Sequence, residues 1–360
     1  MSHGSDALAV HSDRVEKSDV LQIVGAGPSG LAAAIVAAKA GRKVVIKERR
    51  KTVGSRFHDD FQGLENWTSV VDVLDEFRAF GIEPSFEATP VLEQRCFGPD
   101  GRAHRFQSRR PFYYLVRRGP SPGTLDTALL QQALALGVDV HFGETVRSPT
   151  RSALVGSGPR RADVIAVGMV FETDMADASY ACLNESLAPG GYGYLLVNGH
   201  RATLATCMFR SFPNAHHYLR RTLEFFQQRL SFSVKNVRSC GGIGNVFVSP
   251  ATPDLRIGEA SGAQDALWGL GIRLAVQSAV LAVNSDQRTY RRTWEQQLGR
   301  QIRASLVNRF CINLAGNSGY RWVLWRLEHS RDPLAYMRKI YSPAPWKLAL
   351  FPLIRMLSRA

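Results

Sequence analysis

The chain has 360 residues, a length that suits two domains or one large α/β enzyme. Its 45% apolar content supports a sizeable core, and its net charge of +14 is uneven, with 14 Lys/Arg against 4 Asp/Glu in residues 286–360. No stretch approaches the roughly 20 apolar residues of a membrane span, residues 1–20 lack the apolar core of a signal peptide, so a cytoplasmic location is expected, and five cysteines with no C-x-x-C spacing argue against a disulfide framework or a zinc site.

Residues 1–18 read as a flexible leader. The apolar run 20–24 predicts a buried strand, the Ala-rich segment 29–40 a helix ended by Gly41, and 44–46 a second buried strand. Apolar residues at Val70, Val71, Leu74, Phe77 and Phe80 predict a helix over 67–80. Segments 91–97, 103–106 and 112–116 read as strands of a meander, 125–136 as a helix and 138–142 as a strand. Strands follow at 164–171, 193–197 and 202–209, then a helix at 216–230 and short strands at 246–248 and 255–257. A long helix is expected over 263–283, and the remainder is helical. The strands of the middle region interrupt the α/β pattern, so a discontinuous Rossmann-like domain is expected. Its parts are 19–90, 115–163 and 241–285. A β-sheet substrate domain occupies 91–114 and 164–240, and a basic helical C-terminal region covers 286–360.

The turn Gly25-Ala26-Gly27-Pro28-Ser29-Gly30 lies between the first strand and the first helix, the context a dinucleotide-binding turn requires. Gly25 permits the tight turn, Gly27 lets backbone approach a pyrophosphate, and Gly30 lets helix pack on strand. Pro28 and Ser29 open the helix, whose free N–H groups and positive dipole end suit phosphate. Glu48 ends the second strand about 20 residues on, where an acid accepts ribose hydroxyls. Arg49 follows it.

A second glycine cluster runs from Gly258 to Ile272 and includes Glu259, Asp265, Trp268, Gly269 and Gly271. It follows a short strand and opens a helix, a second anion-binding terminus suited to a ribityl phosphate and a flavin ring. Two such seats point to FAD.

These segments resemble the geranylgeranyl reductase family, within the FAD proteins shaped like aromatic hydroxylases. Gly258, Ala260, Gly262, Gly269, Gly271 and Ile272 match the family's flavin loop in register. Pro189-Gly190-Gly191-Tyr192-Gly193-Tyr194 is similar to its P-G-G-Y-x-W turn, and Cys240-Gly241-Gly242-Ile243 to the element before the flavin loop. The chain departs from the pattern with Glu259 for Asp, Ala266 for Pro and Leu195-Leu196 for an aromatic-Pro pair, and it lacks the cysteine near the substrate entrance. The resemblance implies reduction of a C=C bond in a prenyl or other apolar lipid by hydride from reduced FAD. It also implies an external electron donor, NADPH or a ferredoxin-like protein. A flavin monooxygenase of the same fold and a non-catalytic flavin or lipid carrier are the alternatives. No W-x-W-x-I-P-like halogenase motif is present.

A proton donor is needed beside an apolar pocket. Candidates are His58, Asp59, Asp60, Tyr192 and Tyr194, which the sequence does not rank. Arg56 reads either as a pyrophosphate ligand or as a surface arginine, Trp268 as a flavin wall or core packing, and Asp265 as a ring contact or a helix cap. Four of six tryptophans (Trp294, Trp322, Trp325, Trp346) lie among the tail arginines, and 346–357 is apolar with basic punctuation. This pattern suits the surface of an anionic membrane, or a helix docked on the core. No nucleic-acid motif accompanies the charge.

Overall fold

The computed structural model describes residues 20–159, 162–246 and 255–357. The leader and most of the expected strand 246–248 lie outside the described residues.

β1 (Val20–Val24), α1 (Pro28–Lys39) and β2 (Lys43–Glu48) form the expected unit, with β1 and β2 paired in parallel. α1 is buried over most of its length, and Pro28 fills its first turn, where no backbone donor is missed. β3 (Asp60–Glu65) precedes α2 (Val73–Ala79). The helix expected over 67–80 is therefore confined to its second half. Side chains compete for the backbone ahead of it: the Glu65 carboxylate accepts from the Trp67 and Thr68 N–H groups, and Asn66 accepts from Val73 N–H. Asp72 then caps α2 through Leu74 N–H, and Val70 and Val71 stay exposed.

β4 (Ala88–Val91), β5 (Glu93–Phe97), β6 (Ala103–Gln107) and β7 (Tyr113–Arg118) do not form one meander. β7 pairs with β3 and β4 in a three-stranded sheet, whereas β5 and β6 join a larger one. α3 (Leu125–Ala135), capped by Thr124, leads to β8 (Asp139–Phe142) and β9 (Leu154–Val155).

The larger sheet adds β10 (Val164–Glu172), β11 (Ala178–Cys182), β12 (Tyr192–Asn198) and β13 (Arg201–Met208), then α4 (Ala215–Gln227) and β14 (Lys235–Gly244). Its order is β14-β10-β13-β12-β11-β5-β6. β15 (Leu255–Arg256) closes the parallel sheet, ordered β15-β9-β1-β2-β8. α5 (Ile272–Val283) packs against α1. It starts nine residues later than the helix expected from 263, because Gly262 and Gly269 take left-handed φ of 81° and 73°. The chain ends in α6 (Gln287–Trp294), α7 (Arg300–Glu328), α8 (Pro333–Tyr341) and α9 (Pro345–Leu357).

The large sheet has two different faces, set by the period of two along each strand. One row of paired residues crosses it as Cys240, Gly168, Ala205, Tyr194, Ala181 and Cys96. A second row runs Gly242, Ala166, Cys207, Tyr192. Within these two rows the tyrosines are the only large side chains. The opposite face is covered by α4, whose Thr222 accepts a hydrogen bond from Thr206 at 2.9 Å.

The C-terminal helices are part of the core. Tyr320, Leu324 and Leu327 of α7 and Leu334, Met337 and Tyr341 of α8 join a buried cluster with Trp67, Phe106 and Phe112. Lys347 in α9 points inward and donates to Ile340 O and, at 3.1 Å, to Ser342 O, a cation on the carbonyl end of α8.

Candidate active site

A cavity of about 1030 Å³ extends from the carboxyl ends of the parallel strands across the small-residue face of the large sheet. This is where α/β sheets bind ligands, at the point where neighbouring connections leave in opposite directions. β1 has β9 on one side and β2 on the other.

One end of the cavity is polar. Gly25, Gly27, Pro28, Ser29, Glu48 and Arg49 line it. Gly25 has φ of 101°, and a Cβ there would stand 2.5 Å from Gly156 O. A Cβ on Gly30 would stand 1.9 Å from Gly25 O, so Gly30 serves the packing of α1 on β1 and lies outside the lining. Gly27 is different, because a Cβ there meets nothing within 4 Å. The Glu48 carboxylate accepts from Ala26 N–H and Arg50 N–H, both at 2.8 Å, which ties the strand end to the turn and leaves each oxygen a further lone pair.

Arg56 and Arg118 also line the cavity, their guanidinium carbons 4.6 Å and 4.4 Å from the Phe57 ring centroid. Arg118 is held by a bidentate, buried pair with Asp126 at 2.8 Å and donates to Gln62 at 3.0 Å. Arg56 makes no ion pair among the described residues and is exposed, a free positive charge at the polar end.

The second glycine loop forms the wall between the ends. Trp268, Gly269, Gly271 and Ile272 line the cavity, as does Glu259, whose pKa burial raises and whose carboxylate accepts from Asn245 N–H at 2.8 Å. Gly258 is packed against Ser29, with 2.5 Å from its would-be Cβ to Ser29 Oγ, and sits behind the lining. Asp265 is buried behind it too. It accepts from Leu267 N–H at 2.9 Å and Trp268 N–H at 3.0 Å, so it shapes the loop as a turn cap.

The proton-donor candidates separate. His58 is exposed, and neither it nor Asp59 is in the cavity lining. Asp59 faces a separate groove, accepting from Ser121 at 2.8 Å and lying 3.7 Å from Arg201. Asp60 begins β3, directly after Asp59 with its left-handed φ of 64°, and lines the main cavity. Burial raises its pKa, against hydrogen bonds from His58 N–H at 3.0 Å and Gln62 at 3.2 Å. Tyr192 and Tyr194 line the cavity from the large sheet, and burial pushes both phenols well above the usual range. Tyr192 donates to Trp268 O, linking sheet to loop.

The other end is apolar, walled by Trp67, Phe106, Phe112, Leu324, Leu327 and Met337. α7 and α8 wall the cavity beyond what the sequence leads one to expect, as do Arg118, Gln62, Cys207 and Cys240. The small-residue spacing in β10, β13 and β14 was a signal for the last two. Nothing local marks residues of α7, which arrive from 200 positions away.

The likenesses to known proteins follow this geometry. Residues 23–72 match the profile of an NAD(P)-binding Rossmann-like domain. No functionally curated protein matches the chain in sequence. Among solved structures, a geranylgeranyl bacteriochlorophyll reductase-like protein from Thermoplasma acidophilum is 18% identical with a TM-score of 0.70, over 93% of this chain and 98% of that one. The flavin-dependent brominase Bmp2 is 14% identical with a TM-score of 0.62, over 95% and 99%. A variant of halogenase PltM in complex with FAD is 11% identical with a TM-score of 0.56, over 95% and 91%. At these identities the likeness is one of fold, a Rossmann-like parallel sheet joined to a second sheet and a helical C-terminal region.

Proposed function

We propose that this chain is an FAD-dependent oxidoreductase that reduces C=C bonds of a prenyl or other apolar lipid. The observation that carries the reading is one continuous cavity with a glycine-walled, polar end, to which Arg56 and Arg118 contribute, and an apolar end. The flavin-dependent proteins of the same fold support the cofactor, and the reductase-like protein supports the reaction. The polar end fits FAD: Gly27 leaves open space beside the helix terminus, Arg56 and Arg118 suit the pyrophosphate, and Glu48 suits a ribose. When bound and reduced, FAD supplies hydride. Asp60 holds the balancing proton, because burial keeps its carboxyl protonated to higher pH than usual. The sum of hydride and proton is H–C–C–H from C=C. Tyr192, Tyr194 and the aromatic residues of the apolar end exclude water and hold the chain.

The experiment is anaerobic. Dithionite-reduced holoprotein should be reoxidised by a geranylgeranyl substrate in stoichiometric amounts, with a saturated product two mass units heavier per bond reduced. In a separate aerobic assay, NADPH oxidation with consumption of O2 and release of peroxide or a hydroxylated product would instead establish a monooxygenase. A response to neither would establish a carrier. The electron donor of the reductase is external, NADPH or a ferredoxin-like protein.

A lipid substrate also fits the tail. Trp294 is buried, but Trp322, Trp325 and Trp346 are exposed, and α9 presents Trp346, Ala349, Leu353 and Met356 along one side. These lie in the most basic part of the chain, and among the described residues no helix is long and apolar enough to cross a membrane. The reading is contact with an anionic bilayer surface. Replacing Trp322, Trp325, Trp346 and Met356 by Ser should lower flotation with phosphatidylserine liposomes roughly tenfold, since about 25 cal/mol is lost per Å² of apolar surface no longer buried. Unchanged flotation would remove the membrane from the reading. Substitution is preferable to truncation, because Tyr341 and Ile354 are core residues.

A further inference from the structure

We propose that Arg309 is a positioning residue that fixes the loop 265–271, the wall between the two ends of the cavity. Arg309 lies in α7 and is 2% exposed. Its Nε donates to Ala266 O at 3.1 Å, and its Nη2 to Leu267 O. Its Nη1 donates to Gly190 O at 2.9 Å, and the guanidinium lies 4.5 Å from the Phe209 ring centroid. No carboxylate pairs with it directly among the described residues. A buried cation held by carbonyls alone is costly unless each N–H finds an acceptor. Here one planar fork joins the second glycine loop to the Pro189-Gly190-Gly191 turn before Tyr192.

Two neighbours act on the same segments from the same side. Tyr341 of α8 donates to Asp265, with both carboxylate oxygens at 3.0 Å, and Asp265 in turn holds Leu267 and Trp268 N–H. Tyr320 of α7 donates to Gly191 O at 2.8 Å. The loop thus has its back clamped by the C-terminal helices while Trp268, Gly269, Leu270 and Gly271 face the cavity. The clamp sets the height of Trp268 and the direction of the backbone that meets the ligand. Lysine cannot substitute, because a single ammonium lacks the planar spread to reach three carbonyls of two segments.

The ligand side of this proposal rests on the FAD reading; the loop side does not. The test compares Arg309→Lys, Arg309→Met and Tyr341→Phe in the full chain. Amide hydrogen exchange over 266–271 is measured without added flavin, and FAD affinity by fluorescence quenching. Both Arg309 variants should speed loop exchange and weaken FAD at least tenfold, and Tyr341→Phe should move both in the same direction by less. Wild-type exchange and affinity in Arg309→Lys would overturn the proposal, because charge alone would then suffice. If the Arg309 variants do not fold, Tyr341→Phe decides, and wild-type exchange in that variant counts against the clamp. A wild-type protein that binds no FAD would sink the cofactor reading, while loop exchange would still judge the clamp.

Discussion

Gly27→Trp is expected to yield a folded protein without flavin. At Gly27 an added Cβ has no heavy atom within 4 Å, and the residue lines the polar end of the cavity. An indole there would occupy the space beside the α1 terminus where a pyrophosphate must approach backbone. Its φ of −82° is open to any residue, so no backbone strain accompanies the change. Loss of bound flavin by at least a hundredfold in affinity, with a melting temperature within a few degrees of the wild-type apoprotein, is the expected pair of results. Gly30→Ala supplies the contrast. Its Cβ would sit 1.9 Å from Gly25 O, so α1 must move off β1 and the whole domain loses stability, by a few kcal/mol. A Gly27→Trp protein that purifies yellow and fully loaded would refute the assignment of the turn to FAD.

Asp60→Asn is expected to lower kcat of the proposed reduction by about 10² to 10⁴, the usual contribution of a general acid. Asn keeps the acceptor for His58 N–H and has no acidic proton. The pH profile adds a sign. Burial raises the Asp60 pKa, so the acid form persists to higher pH than for an ordinary carboxyl, and kcat should fall as pH rises through that raised value. This limb should vanish in the variant. Stability has the matching direction. Between the ordinary and the raised pKa the native state binds more protons than the unfolded state, so the group's contribution to stability falls as pH rises through that window. Asp60→Asn should therefore be no less stable than wild type at neutral pH. Retained kcat with an unchanged pH limb would move the proton to Tyr192 or Tyr194. The same substitution at Asp59 should have little effect on kcat, since Asp59 faces the Arg201 groove.

Much of the polar end was legible because its physics is local. The turn 25–30 needs glycine for sterics within a few residues, and the acid that ends β2 follows at a fixed spacing. Elements were misread where side chains or glycines overrule periodicity. Val70 and Val71 fit a helical stripe, yet Glu65 and Asn66 capture the backbone first, so α2 waits for the Asp72 cap. The segment before α5 is apolar enough for helix, yet Asp265 closes a tight turn and left-handed Gly262 and Gly269 stand on either side of it. β14 passes through Cys240-Gly241-Gly242, a composition that reads as loop, and is a strand only because β10 pairs with it. The choice between Asp59 and Asp60 needed the point where β3 begins, since Asp59 stands just before it with a left-handed φ of 64°. Arg309 was beyond reach, since its partners lie more than 40 and 110 residues away in sequence.

The floor of small residues makes pocket size and cofactor attachment separately adjustable. Ala205, Ala181 and Cys96 belong to one row that crosses the sheet, with Tyr194 between the first two, and the row advances about 4.8 Å per strand across the chamber. A bulkier side chain at one step shortens the room from that strand outward, and none of these positions touches the glycine turn on β1. Descendants of such a chain can follow a changing substrate length by single replacements along one line, with the dinucleotide seat inherited intact.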